Sequence, residues 1–114
     1  MNIVTIFGAS GFIGRYVVRE IAKTGAHVRA AVRRPERAGF LKPMGTVGQI
    51  IPIAANIRDD ASVAAALAGA DTVINLVGIL QNRGPQNFAS VQAEGAARVA
   101  TAAAAAGVAS FVQI

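Results

Sequence analysis

Short apolar runs alternate with longer amphipathic stretches along this chain, and the alternation predicts a repeating β–α layout. The predicted strands are Asn2–Phe7, His27–Val32, Gln49–Ala55, Asp71–Val77 and Ala109–Ile114. The predicted helices are Phe12–Lys23, Asp60–Ala68 and Phe88–Ala106. The first run is apolar along nearly its whole length, which is typical of a strand covered on both faces of a parallel sheet. The pattern therefore predicts an α/β chain whose sheet lies between layers of helices.

Within the first predicted helix, an apolar stripe is expected to face the sheet while the charged positions face solvent. The stripe consists of Phe12, Ile13, Val17, Ile21 and Ala22. Gly25 is the predicted stop of this helix, and Asp59 or Asp60 is the predicted N-cap of the second. Prolines and glycines punctuate residues 35–48, which predicts a loop with one helical turn at Arg37–Leu41.

A glycine motif joins the first strand to the first helix: Gly8, Gly11 and Gly14 are spaced G-x-x-G-x-x-G, close to the dinucleotide-binding fingerprint. Gly8 permits a sharp turn, Gly11 lets the backbone approach a pyrophosphate, and Gly14 lets the helix pack closely. The N–H groups of the helix start would then face the phosphates. The expected cofactor-binding residues here are Gly8, Ser10, Gly11, Phe12, Ile13 and Gly14. The alternative is a tight glycine turn without a ligand.

The position of this motif, at the first βα junction of a β–α repeat, predicts a particular fold. We expect a Rossmann-type, doubly wound parallel sheet in three layers, with strand order 3-2-1-4-5 and right-handed crossovers. The cofactor is expected across the carboxyl ends of strands one and four, where the strand order reverses.

Two arginines follow the second predicted strand, where a dinucleotide fold meets the adenosine ribose. An acidic residue there would favour NAD, whereas this chain has Arg33 and Arg34. Guanidinium groups suit a ribose 2′-phosphate, so the sequence predicts NADP(H) rather than NAD(H). The alternative is that both arginines are solvated loop charges. Glu36 is expected to open a helical turn rather than bind ribose, and His27 to be a surface residue.

The overall composition narrows the function classes. The chain has 114 residues, a net charge of +5 and no cysteine, so cysteine-based metal sites and nucleophiles are excluded. The basic excess is concentrated around Arg29, Arg33, Arg34 and Arg37, which does not favour a nucleic-acid surface. No signal peptide or membrane span is predicted. We expect a cytoplasmic protein, either free or peripheral to the inner membrane.

Several segments resemble the extended and atypical short-chain dehydrogenase/reductase families. Besides the glycine turn, Asn56 and Ile57 stand where these families hold the adenine, with Asn56 in place of an Asp. Leu76, Val77 and Gly78 stand where their fourth strand lines the central riboses, and Val91–Gly95 resembles their fourth helix, with Gln92 where many have Asn. The resemblance implies these positions as cofactor-binding.

One branch is more similar still. The runs Ala31–Pro35, Val47–Ile50, Asn75–Leu80 and Val91–Ala96 resemble the nucleotide-binding accessory subunit of respiratory NADH:ubiquinone oxidoreductase (complex I) and its bacterial homologues. That resemblance implies a non-catalytic NADP(H)-binding subunit, with respiratory complex subunits as partners and bound nucleotide stabilising the fold. Two alternatives stay open: an NADP-dependent oxidoreductase or epimerase, and an NADP(H)-sensing regulatory protein.

The resemblance also implies a test for catalysis. Enzymes of these families use a Tyr-x-x-x-Lys pair beside the nicotinamide. The single tyrosine, Tyr16, has Glu20 at that spacing, so no catalytic residue is assigned and no turnover by this chain is expected.

The sequence stops within the fifth predicted strand. We therefore expect residues 1–114 to be the N-terminal part of an NAD(P)-binding Rossmann domain whose C-terminal part is missing. Phe111 and Ile114 would then lie on an apolar strand edge, which predicts a dimer or a higher oligomer.

Overall fold

The computed structural model describes residues 2–77 and 86–113, with the backbone alone described for residues 86–93. Three predictions fall outside what is described: the role of Gly78, that of the Gln92 side chain, and the place of Ile114 at the strand edge.

The chain alternates strands and helices as the apolar pattern predicts. In order they are β1 (Ile3–Phe7), α1 (Phe12–Lys23), β2 (His27–Val32), β3 (Ile50–Ala54), α2 (Asp60–Leu67), β4 (Thr72–Asn75), α3 (Gln86–Ala105) and β5 (Ser110–Gln113). Every strand pairing is parallel, and the order in the sheet is β3-β2-β1-β4-β5. This confirms the predicted Rossmann-type fold with strand order 3-2-1-4-5.

Successive side chains of β1 point to opposite faces of the sheet, and each face is covered by its own apolar cluster. Val4 and Ile6 pack with Val18 of α1 and Leu41 in one apolar cluster. Phe7 packs in a second cluster that contains side chains from α2 and α3. The sheet is therefore the middle of three layers.

The helix termini follow the predicted signals. Asp59 is the N-cap of α2, and its carboxylate accepts a hydrogen bond of 3.0 Å from the Ala61 N–H. Gly25 follows the end of α1 with a φ of +86°, in the left-handed region where glycine carries no Cβ penalty. Two 3-10 helices, Pro35–Arg37 and Gly39–Met44, occupy the loop where one turn was predicted at Arg37–Leu41. Glu36 opens the first of them, and His27 is exposed, both as expected.

The prediction that Phe12 belongs to the core stripe of α1 is wrong. Its side chain is 64% exposed, whereas Val18 is fully buried. At about 100° per residue, Phe12 lies about 120° around the helix from Val18, so it cannot share the face that packs on the sheet. The buried face instead consists of Gly14, Val18 and Ala22, with Val17 and Ile21 packed beside it.

Candidate functional site

The carboxyl ends of four neighbouring strands are joined by backbone hydrogen bonds that continue past the strands. The Leu76 N–H donates to the Phe7 carbonyl at 2.9 Å, and the Gly8 N–H donates to the Ala31 carbonyl at 3.1 Å. The Ala55 N–H donates to the carbonyl of Val32 at 2.8 Å. These bonds bring the segments 8–14, 33–34, 56–57 and 76–77, which the sequence predicts as binding segments, to one edge of the sheet.

The glycine turn lies directly against the end of β4. Gly8 has a φ of +78°, and a Cβ added to it would lie 3.1 Å from the Val77 nitrogen and 3.2 Å from the Leu76 carbonyl carbon. A side chain at Gly8 would therefore be strained and would also push the turn away from β4. This is the place where the strand order reverses, between β1 and β4.

Gly14 packs against the turn itself rather than against the sheet. A Cβ added to it would lie 2.7 Å from the carbonyl carbon of Ala9 and closer still to the Gly8 carbonyl oxygen. These neighbours are backbone atoms and cannot rotate away. Gly14 therefore keeps the first turn of α1 in contact with the glycine turn.

The start of α1 is open. Gly11 is the N-cap, and no side chain caps the helix there, nor does its first turn contain an acidic residue. The first N–H groups of an α-helix have no partner within the helix, and the positive end of the helix dipole lies behind them. Among the described residues, a Cβ added at Gly11 would have only the Gly8 carbonyl oxygen within 4 Å, at 3.4 Å. Backbone at Gly11 is thus accessible to an anionic group.

The other predicted pyrophosphate residues lie around this opening with different exposures. Ser10 and Ile13 are half-buried, and Phe12 is exposed. The Phe12 ring meets the Tyr16 ring edge to face, with centroids 5.7 Å apart. Phe12 is therefore available to a ligand, although its predicted place in the core is wrong.

Arg33 and Arg34 follow β2 directly, and both are exposed. Within the described part of the chain, neither guanidinium has a hydrogen bond or an ion pair. The hydrogen bond from Gly8 to Ala31 holds the end of β2 beside the glycine turn. Two exposed arginines, without partners among the described residues, thus follow the strand end that is bonded to the turn.

Sequence reasoning missed Arg15, which it placed on the solvent face of α1. The Arg15 guanidinium lies over the Phe40 ring, 5.0 Å from its centroid, and Nε donates to the Gly11 carbonyl at 3.4 Å. Arg15 thereby links the second 3-10 helix to the glycine turn. Its place directly after Gly14 is the one sequence signal that could have indicated it.

Asn56 and Ile57 form the loop between β3 and α2. The Asn56 carboxamide oxygen accepts from the Arg58 N–H at 3.0 Å, and the Asn56 N–H donates to the Ser62 hydroxyl at 2.9 Å. Ile57 is half-buried, and its side chain packs with the apolar cluster on the α2–α3 face. The exposed Asn56 carboxamide keeps its NH₂ group available.

The end of β4 is fixed by Asn75, which is fully buried. Its side-chain oxygen accepts from the Val77 N–H at 3.1 Å, and its NH₂ group donates to the Gln113 side chain at 3.0 Å. Leu76 is buried and Val77 is half-buried. Asn75 therefore sets the path of the backbone that faces Gly8.

Tyr16 has surroundings unlike those of a catalytic tyrosine. It is exposed on α1, and the Arg19 guanidinium lies 5.2 Å from its ring centroid. Glu20, four positions on, accepts a hydrogen bond of 2.9 Å from Lys23, which holds the pKa of the Glu20 carboxyl below its usual range. This ion-pair group lies on the solvent face of the helix.

In residues 2–77 and 86–113, no three metal-ligating side chains lie close enough together to hold an ion. Nor does any helix in those ranges have the length and apolar character needed to cross a membrane.

The chain matches a family model described as NAD(P)H-binding over residues 8–114. It is 44% identical over 77 residues to the mitochondrial NADH dehydrogenase (ubiquinone) 1 alpha subcomplex subunit 9 of Arabidopsis thaliana, covering 67% of this chain and 19% of that protein. It is 33% identical to the mitochondrial NADH-ubiquinone oxidoreductase 40 kDa subunit of Neurospora crassa, covering 96% and 29%. It is 34% identical to cinnamoyl-CoA reductase 1 of rice, covering 94% and 32%.

Solved structures give the same picture of the fold. The NADPH-dependent quinone oxidoreductase of Escherichia coli, complexed with NADPH, superimposes with a TM-score of 0.75 at 28% identity, covering 96% of this chain and 35% of that one. Uronate dehydrogenase of Agrobacterium tumefaciens, complexed with NAD, has a TM-score of 0.80 at 22% identity, covering 99% and 40%. The chain spans between 19% and 32% of the length of the three curated relatives named above.

Proposed function

The chain belongs to the NAD(P)H-binding family, and from that premise we propose that it binds NADP(H) as a non-catalytic accessory subunit of the NADH:ubiquinone oxidoreductase type. The nicotinamide dinucleotide follows from the family. The preference for NADP(H) rests on one observation: Arg33 and Arg34 follow the end of β2, which is bonded to the glycine turn, and both are exposed without a hydrogen bond or ion pair to the described residues. The accessory role is supported by the similarity to mitochondrial NADH dehydrogenase subunits.

The residues at the sheet edge suit each part of a dinucleotide. The open helix start and the missing Cβ atoms of the turn suit the pyrophosphate, at Gly8, Ser10, Gly11, Phe12, Ile13 and Gly14. Arg33 and Arg34 suit a 2′-phosphate, because a planar guanidinium forms paired, charge-assisted hydrogen bonds to phosphate. Asn56 and Ile57 would flank the adenine, and Leu76 and Val77 the riboses; Gly78 is assigned with them from the resemblance alone.

When bound, the cofactor supplies a nicotinamide that can carry hydride. The chain's own contribution is to bind and orient it. A ligand that binds only the native state also stabilises that state, by an amount that grows with the logarithm of its concentration. In an accessory subunit this stabilisation would be the purpose of the bound nucleotide.

Titration calorimetry with NADPH and NADH tests this proposal. We expect wild-type protein to bind NADPH more tightly, and Arg33→Ala to weaken NADPH binding about ten- to a hundredfold while leaving NADH binding nearly unchanged. That factor corresponds to losing about 1.5–3 kcal/mol from a hydrogen bond to a charged group. The preference should shrink as salt concentration rises, because these guanidinium groups are exposed.

Arg19→Ala is the matched control, since it removes the same charge from the solvent face of α1, where Arg19 pairs with Glu20. It should leave both affinities unchanged. Equal binding of NADPH and NADH by the wild type would refute the NADP(H) preference. Binding of neither would refute the proposed function for this chain.

A second candidate function is an NADP-dependent reductase. It is favoured by the 34% identity to the rice cinnamoyl-CoA reductase, which extends over 94% of the chain. The same titrated samples distinguish the two candidates when an aldehyde or thioester substrate is added. Bound NADPH that persists supports the accessory subunit, whereas NADPH that is consumed supports the reductase.

The edge strand β5 supports a proposal about partners. Val112 on this strand is 42% exposed, and an open apolar edge can pair with another chain. We expect self-association or contact with respiratory complex subunits there, and light scattering on the purified chain should give a mass of at least a dimer. A monomeric mass at working concentration would contradict the self-association.

A further inference from the structure

An arginine of α3 holds the loop between β3 and α2. The Arg98 Nη1 donates a hydrogen bond of 2.8 Å to the carbonyl oxygen of Ile57, which lies 41 positions earlier in the chain. Its Nε pairs with the Asp60 carboxylate at 2.6 Å. The Arg98 side chain is only 29% exposed, so the contact with Ile57 is partly screened from water.

The same loop touches α3 a second time, through Gly95. A Cβ added at Gly95 would lie 3.0 Å from Cγ1 of Ile57 and closer still to its Cδ1. Gly95 lies three positions before Arg98, and residues three positions apart lie on the same face of a helix. The missing side chain at Gly95 leaves room for the end of the Ile57 side chain against α3, beside the bond from Arg98 to the Ile57 carbonyl.

The loop's polar groups are already used for holding its shape. The Asn56 carbonyl accepts from the Asp59 N–H at 3.0 Å, and the Asn56 side-chain oxygen accepts from the Arg58 N–H. The Ile57 carbonyl would have to find water if Arg98 were absent. Arg98 therefore adds a polar contact from α3 to a loop that is otherwise connected through the Asn56 N–H bond to Ser62 and the packing of the Ile57 side chain.

We propose that Arg98 is a positioning residue for the adenine pocket, which it shapes by holding the Asn56–Ile57 loop against α3 at Gly95. The proposal rests on the proposed dinucleotide binding. Arg98 joins α3 to α2 through Asp60, and it also makes a second contact outside the helices. Here the Arg98 guanidinium bonds to the loop backbone at Ile57, next to the carboxamide of Asn56 that would meet the base. Loss of this contact would let the loop move away from the adenine while the glycine turn and the two arginines after β2 keep their places.

The test uses two ligands that differ only in the base. NADPH carries adenine, whose exocyclic amino group can donate to the second lone pair of the Asn56 side-chain oxygen, whereas nicotinamide hypoxanthine dinucleotide phosphate, in reduced form, has a carbonyl oxygen at that position. We expect wild-type protein to prefer NADPH by about tenfold, the value of one hydrogen bond of about 1.4 kcal/mol. Arg98→Met should weaken NADPH binding about tenfold. The ratio of the affinities for the two ligands should fall from about ten towards one. Arg98→Lys should give intermediate values, since an ammonium cannot span the Ile57 carbonyl and Asp60 as the planar guanidinium does.

Arg19→Met is the control for loss of a guanidinium, and Gly95→Ala is an independent second variant. Gly95→Ala keeps every charge and the Arg98 side chain but displaces the end of the Ile57 side chain, so it should reduce the preference for NADPH by less than Arg98→Met does. If Arg98→Met fails to fold, Gly95→Ala still tests the contact between the loop and α3. A variant that weakens both ligands equally, with the preference intact, would assign Arg98 a purely structural role and overturn the proposal, as would unchanged binding or a wild type without base preference. A wild type that binds neither ligand would overturn the proposed function itself.

Discussion

Gly14→Ala is expected to destabilise the protein by about 3 kcal/mol and to abolish dinucleotide binding. Adding a methyl group to a well-packed site typically lowers the free energy of unfolding by about 1–3 kcal/mol. We expect the upper end here, because the added methyl meets backbone atoms, which cannot move aside by changing rotamer. The methyl would lie 2.7 Å from the Ala9 carbonyl carbon, so the turn and the helix must separate. Separation moves the N–H groups of the helix start away from the place where a pyrophosphate would bind.

Urea unfolding followed by circular dichroism measures the stability, and calorimetry with NADPH measures the binding. Gly39→Ala is the matched control, since a Cβ there meets no atom of residues 2–77 or 86–113 within 4 Å and its φ is not positive. The control should keep or slightly raise the stability, by up to about 1 kcal/mol through a less flexible unfolded chain. A Gly14→Ala protein as stable as the control, with NADPH binding intact, would mean that α1 can shift without cost and that the contact with the turn is unimportant.

Local features of this site could be predicted from the sequence, because their causes lie within one or two helical turns. The positive φ of Gly8, the bounds of α1 and the N-cap at Asp59 all follow from neighbouring residues. The predicted end of the second strand at Val32 likewise places Arg33 directly after β2. The strand order was predictable because parallel β–α repeats have few allowed connections.

Contacts between distant segments could not be predicted in this way. Arg98 and Ile57 are 41 positions apart, and Asn75 and Gln113 are 38 apart, so no spacing rule connects them. Gly95 looked like part of a family segment, and its role against Ile57 appears only when α3 is packed on the loop. The wrong prediction for Phe12, in contrast, arose from a local feature that the sequence does contain. An apolar residue in the first turn was assigned to the core by its type, although its angle around the helix excludes it.

At the end of β4, the fully buried Asn75 side chain holds two partners, the Val77 N–H and the Gln113 side chain. Asn75→Leu removes the acceptor for the Val77 N–H and the donor to Gln113, and we expect a loss of about 2–3 kcal/mol from two buried hydrogen bonds. Gln113→Leu removes the side-chain pair and the longer bond of 3.4 Å that the Gln113 NH₂ group donates to the Asn75 carbonyl, but it leaves the bond to Val77, so about 1 kcal/mol is expected.

Urea unfolding of the two single variants and of the double variant separates these contributions. The double variant should lose less than the sum of the single losses, because both substitutions remove the same bond between Asn75 and Gln113. NADPH affinity should fall in Asn75→Leu and change little in Gln113→Leu, since Asn75 directs the Val77 backbone that lies against Gly8. Strict additivity would mean that the pair contributes nothing to stability. Equal affinities in the two variants would mean that the end of β4 keeps its path without Asn75, and that the glycine turn alone determines where the dinucleotide lies.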